Sequence, residues 1–212
     1  MIKFICQHSY RFHKSLFEIN LYSVDQVSLD APHFNLIMQS PLKFCPICAD
    51  TLELTDTSGR ERLSCPTGHW THWDNPLPVL AAMVEIDGKI IMARNAAWPP
   101  KMFALITGFL ERGESPSDGI AREVKEETNL DVFETRLIGV YEFIRKNELI
   151  IAYHVKAVGE IKLSEELAEH RLVPPEMLRP WPYGTGLAIA DWMRARNLPI
   201  DFIESPVSSP HA

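Results

Sequence analysis

The chain has 212 residues, 46% of them apolar and 23% charged, with a formal net charge of −7. This is the composition of an ordinary globular protein, long enough for one good core and a small accessory unit. The acidic balance gives no broad basic footprint for nucleic acid or an anionic membrane, and no run approaches the ~18 apolar residues of a membrane-spanning helix.

Residues 1–40 show no periodicity and are expected to form a leader, either poorly ordered or outside the functional protein, with Met38 as an alternative start. The opening "MIKFICQHSYRFHKSLFEIN" has no apolar core followed by a small-residue cleavage site, so the expected compartment is the cytoplasm. Residues 41–75 carry "FCPICADTLELTDTSGRERLSCPTGHWTHWDN". Cys45 and Cys48 stand two residues apart, a spacing that places two thiolates on one tight turn and suits tetrahedral zinc. Cys65 supplies a third ligand, and His69 is preferred to His72 as the fourth. Four protein ligands leave no open position, so the ion's role is structural, stabilising a unit too small for a core of its own. Such thiols fit a reducing compartment better than disulfides do, and Cys6 is read as a bystander. "DNPLP" then reads as a linker.

A larger unit is expected over residues 76–200, followed by a loose tail over 201–212. "VLAAMVEIDGKIIMAR" is two apolar runs joined at Asp87-Gly88, a hairpin signal. A loop with Trp98-Pro99-Pro100 leads to a short strand through Leu105 and Ile106. Ser115-Pro116 supplies an N-cap and a first-turn proline for a helix running to about Thr128, with Asp118 in its first turn. "RLIGVYEFI" and "LIIAYHVKAV" read as strands around a turn at Lys146-Asn147, "LSEELAEHR" as a loop, "RPWPYGTG" as a turn, and "GLAIADWMRARN" as a late helix. This order suggests an α/β fold in which helices cover a mixed sheet.

The helix from Ser115 carries Glu123, Glu126 and Glu127 within roughly a third of its circumference. Like charges so placed repel by about 0.2–0.5 kcal/mol per pair. A divalent ion such as magnesium or manganese offsets that cost, because oxygen-rich clusters suit hard cations. Arg122, beside Glu123, is expected to orient a carboxylate through a two-point contact. A solvated acidic face, with Arg122 and Lys125 as partners, is the plainer explanation of the same residues.

The stretch from Gly108 to Leu130 resembles the Nudix box, G-x5-E-x7-R-E-U-x-E-E-x-G-U, in which U is a bulky aliphatic residue. Gly108, Glu114, Arg122, Glu123, Val124, Glu126, Glu127 and Leu130 fall at the required spacings. The late glycine is Asn129 here, the residue that best replaces glycine in a left-handed helix end. The resemblance covers residues 77–198 and implies a Nudix α/β/α sandwich preceded by a zinc ribbon, and a hydrolase that splits a diphosphate linked to another group. It implies that Glu123, Glu126, Glu127 and the Gly108 carbonyl hold magnesium or manganese, and that Glu114 and Arg122 hold the box together. Glu126 or Glu127 would accept a proton from water, with Glu165, Glu166 and Glu169 as rivals from the later loop. Ribbon-bearing relatives show C-P-x-C-G at the second knuckle, where Gly68 takes the fourth cysteine's place. The run S-Q-P-W-P-F-P-x-S of the NADH-cleaving group is absent after the box, which argues against NADH specificity; the resemblance implies only a nucleoside diphosphate linked to a second group, as in ADP-ribose, NAD(H), FAD or a nucleotide sugar.

Trp98, Phe103, Tyr141 and Phe143 are candidates for stacking on a base, though core packing is the commoner role of such residues. His154, inside an apolar strand, is expected to be structural. By likeness a homodimer is expected, and the acidic balance and lack of a long apolar run point away from nucleic-acid and membrane partners. The rival function is a nucleotide-sensing Nudix domain without catalysis, its ribbon contacting a partner.

Overall fold

Asp87 and Gly88 both take positive φ, 50° and 72°, and close the expected hairpin between strands Leu77–Ile86 and Lys89–Asn95. The computed structural model describes residues 42–203, so the expectations for the leader, Met38 and Cys6, and for the tail beyond residue 203, fall outside it. Its contacts divide the chain into two compact units, one ending at His72 and the other beginning at Trp73.

In the first unit, β1 (Glu53–Asp56) and β2 (Glu61–Ser64) pair antiparallel, with Glu53 opposite Ser64. Left-handed Ser58 and Gly59 turn the chain between them, and the Gly59 N–H donates to Asp56 Oδ1 at 2.8 Å. The buried apolar centre is Cys45, Leu52 and Cys65, with Cys48, Leu63 and Trp70 packed against it. Sulfur thus makes up much of what core there is.

The second unit is built on a six-stranded mixed sheet. In chain order it contains β3 (Leu77–Ile86), β4 (Lys89–Asn95), β5 (Ile106–Phe109), α1 (Pro116–Thr128), β6 (Asp131–Phe143), β7 (Glu148–Val158), β8 (Leu167–Val173) and α2 (Thr185–Arg194). The strand order is β6-β7-β3-β4-β8, and β5 joins β3. Only the β3–β7 pair is parallel among these ladders. β3 is buried on both faces from Val79 to Val84, which explains its unbroken apolar run. Val79, Ala81 and Met83 pack with Ala188, Ile189, Trp192 and Met193 of α2. Leu80, Ala82 and Val84 pack with Ile120 and Val124 of α1. The result is the expected α/β/α sandwich.

The late helix and the strands around Asn147 form as expected, with Asn147 left-handed at φ 53°. One element departs from expectation. "LSEELAEHR" is not a loop throughout: from Leu167 it becomes β8, antiparallel to β4. The periodicity is obscured because β8 is an edge strand whose residues are all partly or fully exposed. Among the described residues, no helix is long and apolar enough to cross a membrane.

Candidate active site

Two neighbouring elements assemble the acidic site. β5 brings Gly108 into register with Leu80 of the central strand. α1 follows after the turn at Gly113, whose φ of 94° favours glycine. Ser115 caps the helix, accepting from the Asp118 N–H at 3.2 Å, and Pro116 begins it. Ile120 and Val124 are completely buried against the sheet, which fixes the rotation of the helix and so the direction of its polar face.

Arg122 is the centre of that face. Its Nε and Nη2 donate to the two oxygens of Glu114 at 3.0 and 2.8 Å, a two-point grip across the loop. Its Nη1 donates to Glu123 Oε1 at 2.9 Å and to Glu126 Oε2 at 3.2 Å. Nη2 also reaches the Phe109 carbonyl at 3.2 Å, tying the helix to β5. The two-point contact is made with Glu114, and the adjacent Glu123 takes a single bond from the third nitrogen. Arg122 thus offsets part of the repulsion among these carboxylates, as the plainer explanation of the residues expects. The Arg122 guanidinium, helped by the Glu111 N–H at 2.8 Å, holds the Glu114 carboxyl down to about 2. The same pairing, with Glu114 foremost, raises Arg122 above its usual range.

Glu123 has its side chain only 13% exposed, and it packs against Gly108 so closely that a Cβ on Gly108 would fall inside the carboxylate. The carboxylate is thus a close neighbour of the Gly108 backbone. Gly119 has a comparable role that sequence reasoning missed: a Cβ there would press on Glu114 Oε1 and Leu80 Cδ1, at 2.6 and 2.7 Å. A glycine inside a capped helix was the available signal. Glu126 projects into solvent, its side chain 60% exposed. Glu127 is half-buried, and its carbonyl accepts from the Ser164 N–H at 3.0 Å.

That bond brings the later loop to the box. Glu165 is exposed and Glu166 half-buried, and the Glu166 carbonyl accepts from the Ala96 N–H at 2.8 Å. Glu169 instead lies on β8, 3.5 Å from both Arg94 and Arg171. Of the base-stacking candidates, Phe103 carries the Arg171 guanidinium 3.9 Å from its ring centre. Tyr141 donates to Asp191 Oδ2 at 2.9 Å, and Phe143 stacks on Tyr183 with centroids 6.3 Å apart. Trp98 is 36% exposed. His154 is buried and bonds Glu85 through Nε2 at 2.7 Å, as a structural histidine should.

In the first unit the ligand atoms of Cys45, Cys48, Cys65 and His69 all lie within 4.8 Å of one another, a candidate Cys3His metal site. The Cys48 and Cys65 sulfurs are 3.5 Å apart. Both knuckles turn through left-handed residues, Ala49 at φ 63° and Gly68 at φ 76°. His72 stacks on Trp70, centroids 5.7 Å apart. Thr67 was not foreseen: its hydroxyl lies 3.0 Å from Cys65 Sγ and 3.1 Å from His69 Nδ1. Chiefly through that hydroxyl, and against desolvation, the Cys65 thiol is lowered to about 6. At Cys48 the backbone of Asp50 lowers the thiol, but desolvation and the Cys65 and Cys45 sulfurs outweigh it and leave it at about 11.

Residues 74–193 match the NUDIX domain family. The chain is similar to the NAD-capped RNA hydrolase NudC of Mycobacterium tuberculosis, 33% identical over 145 residues, covering 65% of this chain and 44% of that protein. It is also similar to NudC of Vibrio atlanticus, 30% identical over 58% of this chain and 45% of that one. The human NAD-capped RNA hydrolase NUDT12 is 31% identical over 63% of this chain and 31% of its own length. The chain thus spans less than half the length of these curated relatives. Among solved structures, a NUDIX hydrolase from Nitrosomonas europaea superposes with a TM-score of 0.61 at 25% identity, over 77% of this chain and all of that one. The box geometry, the two-layered helical cover of a mixed sheet and the match across residues 74–193 agree: the chain belongs to the Nudix family.

Proposed function

We propose that the protein is a magnesium- or manganese-dependent hydrolase that splits the diphosphate of a nucleoside diphosphate linked to a second group. The observation that carries this is the Glu123 carboxylate seated against the Gly108 backbone and braced by Arg122. Glu123, Glu126, Glu127 and the Gly108 carbonyl would hold the ion. When bound, it neutralises phosphate charge and lowers the pKa of a coordinated water.

The chain's own residues set the geometry. Arg122 and Glu114 lock the loop to the helix, fixing where the carboxylates point. The proton acceptor comes from Glu126 or Glu127 in the box, or from Glu165 or Glu166 on the loop bonded to it. Glu169 is less suited, because its carboxylate is already engaged by the Arg94 and Arg171 guanidinium groups, each 3.5 Å away. The relatives named for NAD-capped RNA put NAD-type diphosphates first among substrates to test. The Cys3His cluster is read as a structural zinc site, since its donors suit tetrahedral zinc and leave no open position.

The test is release of monophosphate from NADH, ADP-ribose, FAD, dinucleoside polyphosphates and NAD-capped RNA in the presence of magnesium. Turnover that is lost in Glu127→Gln supports the hydrolase. Tight binding without turnover across the panel replaces it with the sensing function.

A further inference from the structure

We propose that Asn129 is a positioning residue: its side-chain amide clamps the loop after β7 to the end of α1, so setting where Glu165 and Glu166 stand relative to the box. The proposal rests on the hydrolase assignment above. Asn129 occupies the left-handed position that ends α1, with φ 64° and its N–H donated to the Lys125 carbonyl at 2.9 Å. Glycine satisfies that backbone requirement equally well. What glycine lacks is the side-chain amide, whose Nδ2 donates to the Glu160 carbonyl at 3.2 Å, across 31 residues of chain.

That bond is the first of a series. The Lys162 N–H donates to the Thr128 carbonyl at 2.9 Å, and the Ser164 N–H donates to the Glu127 carbonyl at 3.0 Å. The carbonyls left over at a helix end are satisfied here by the passing loop. Gly159 begins this course at φ 124°, and a Cβ there would lie 3.9 Å from the Asn129 carbonyl. At the far end, the Glu166 carbonyl accepts from the Ala96 N–H at 2.8 Å, and the Glu166 N–H donates to the Ser164 hydroxyl oxygen at 3.3 Å. Residues 160–166 are therefore strung between the helix that carries Glu127 and the loop after β4. Asn129 supplies a side-chain tie in that run, at the point where the loop first meets the helix. The Lys125 ammonium, bonded to the Asn129 carbonyl at 3.0 Å, steadies the same corner without touching the loop.

Asn129→Gly removes the tie and keeps the backbone. Two readouts decide the matter: hydrogen exchange at the Lys162 and Ser164 amides, and steady-state kinetics on whichever panel substrate is turned over. We expect exchange at both amides to quicken by about fivefold to tenfold, the worth of one modest hydrogen bond. We expect kcat to fall by a similar factor with KM little changed and the melting temperature preserved. In a Glu165→Gln/Glu166→Gln background the same substitution should add nothing further to the loss of kcat, because the groups it positions are gone. Unchanged exchange overturns the clamp. Faster exchange with unchanged kcat, or a full additional loss in the double variant, overturns the positioning role. If the wild type turns over no substrate in the panel, the hydrolase assignment fails and the positioning role fails with it, whereas the exchange measurement still decides the clamp.

Discussion

Gly108→Ala is the smallest change that tests the site, a single methyl group. Gly108 sits in β5 without positive φ, so alanine meets no backbone strain there. The obstacle is the Glu123 carboxylate, which occupies the space the Cβ needs. Carbon atoms pack at about 3.5–4.0 Å, so the carboxylate has to retreat by on the order of 1 Å or more. It is the far end of a flexible side chain and can do so by changing rotamer, leaving Gly108's pairing with Leu80 intact. The fold should therefore survive, with an unchanged melting temperature, since alanine in a strand relieves about 0.5–1 kcal/mol of glycine's entropic cost. Catalysis should not survive intact. A misplacement of about 1 Å at a reacting centre costs on the order of 100-fold, so kcat in the monophosphate-release assay should drop by roughly that factor at saturating magnesium. A Gly108→Ala protein that melts normally and keeps kcat within about twofold would show that the seat of Glu123 on Gly108 has no part in the chemistry.

Two further tests follow from groups already described. The Glu114 carboxyl, normally near 4.5, is held at about 2 by Arg122, so its contribution to stability is present above 4.5 and is lost as pH falls through about 2. The gap in urea midpoint between wild type and Glu114→Gln should accordingly be constant near neutrality and close in acid; a gap independent of pH removes the Arg122 pairing as its source. In the first unit, His69→Ala should lower zinc content measured by mass spectrometry, while His72→Ala should leave it unchanged. Full zinc in His69→Ala would displace His69 from the ligand set.

What could be read from the sequence was chiefly local. Asp87-Gly88, Ser115-Pro116 and Asn129 each have a conformational preference that belongs to one or two residues, and each sits where that preference requires. The continuous apolar run of β3 was legible because a strand covered on both faces needs one. What escaped reading depends on chain segments meeting in space. β8 is an edge strand in which Glu169, His170 and Arg171 interrupt the apolar pattern, so it resembled a loop. Spacing alone left open which carboxylate Arg122 grips at two points; the loop folds Glu114 back onto the guanidinium from eight positions away. Thr67 lacks any signal of its own; its hydroxyl matters only because the knuckle places Cys65 and His69 on either side.

The Arg122 hub has an implication for how the molecule works over many cycles. One guanidinium wired to three acidic side chains makes the shape of the helix a property of the polypeptide, independent of any visitor. On the proposed hydrolysis, ions and cleaved products would arrive and depart while the scaffold that receives them stands still.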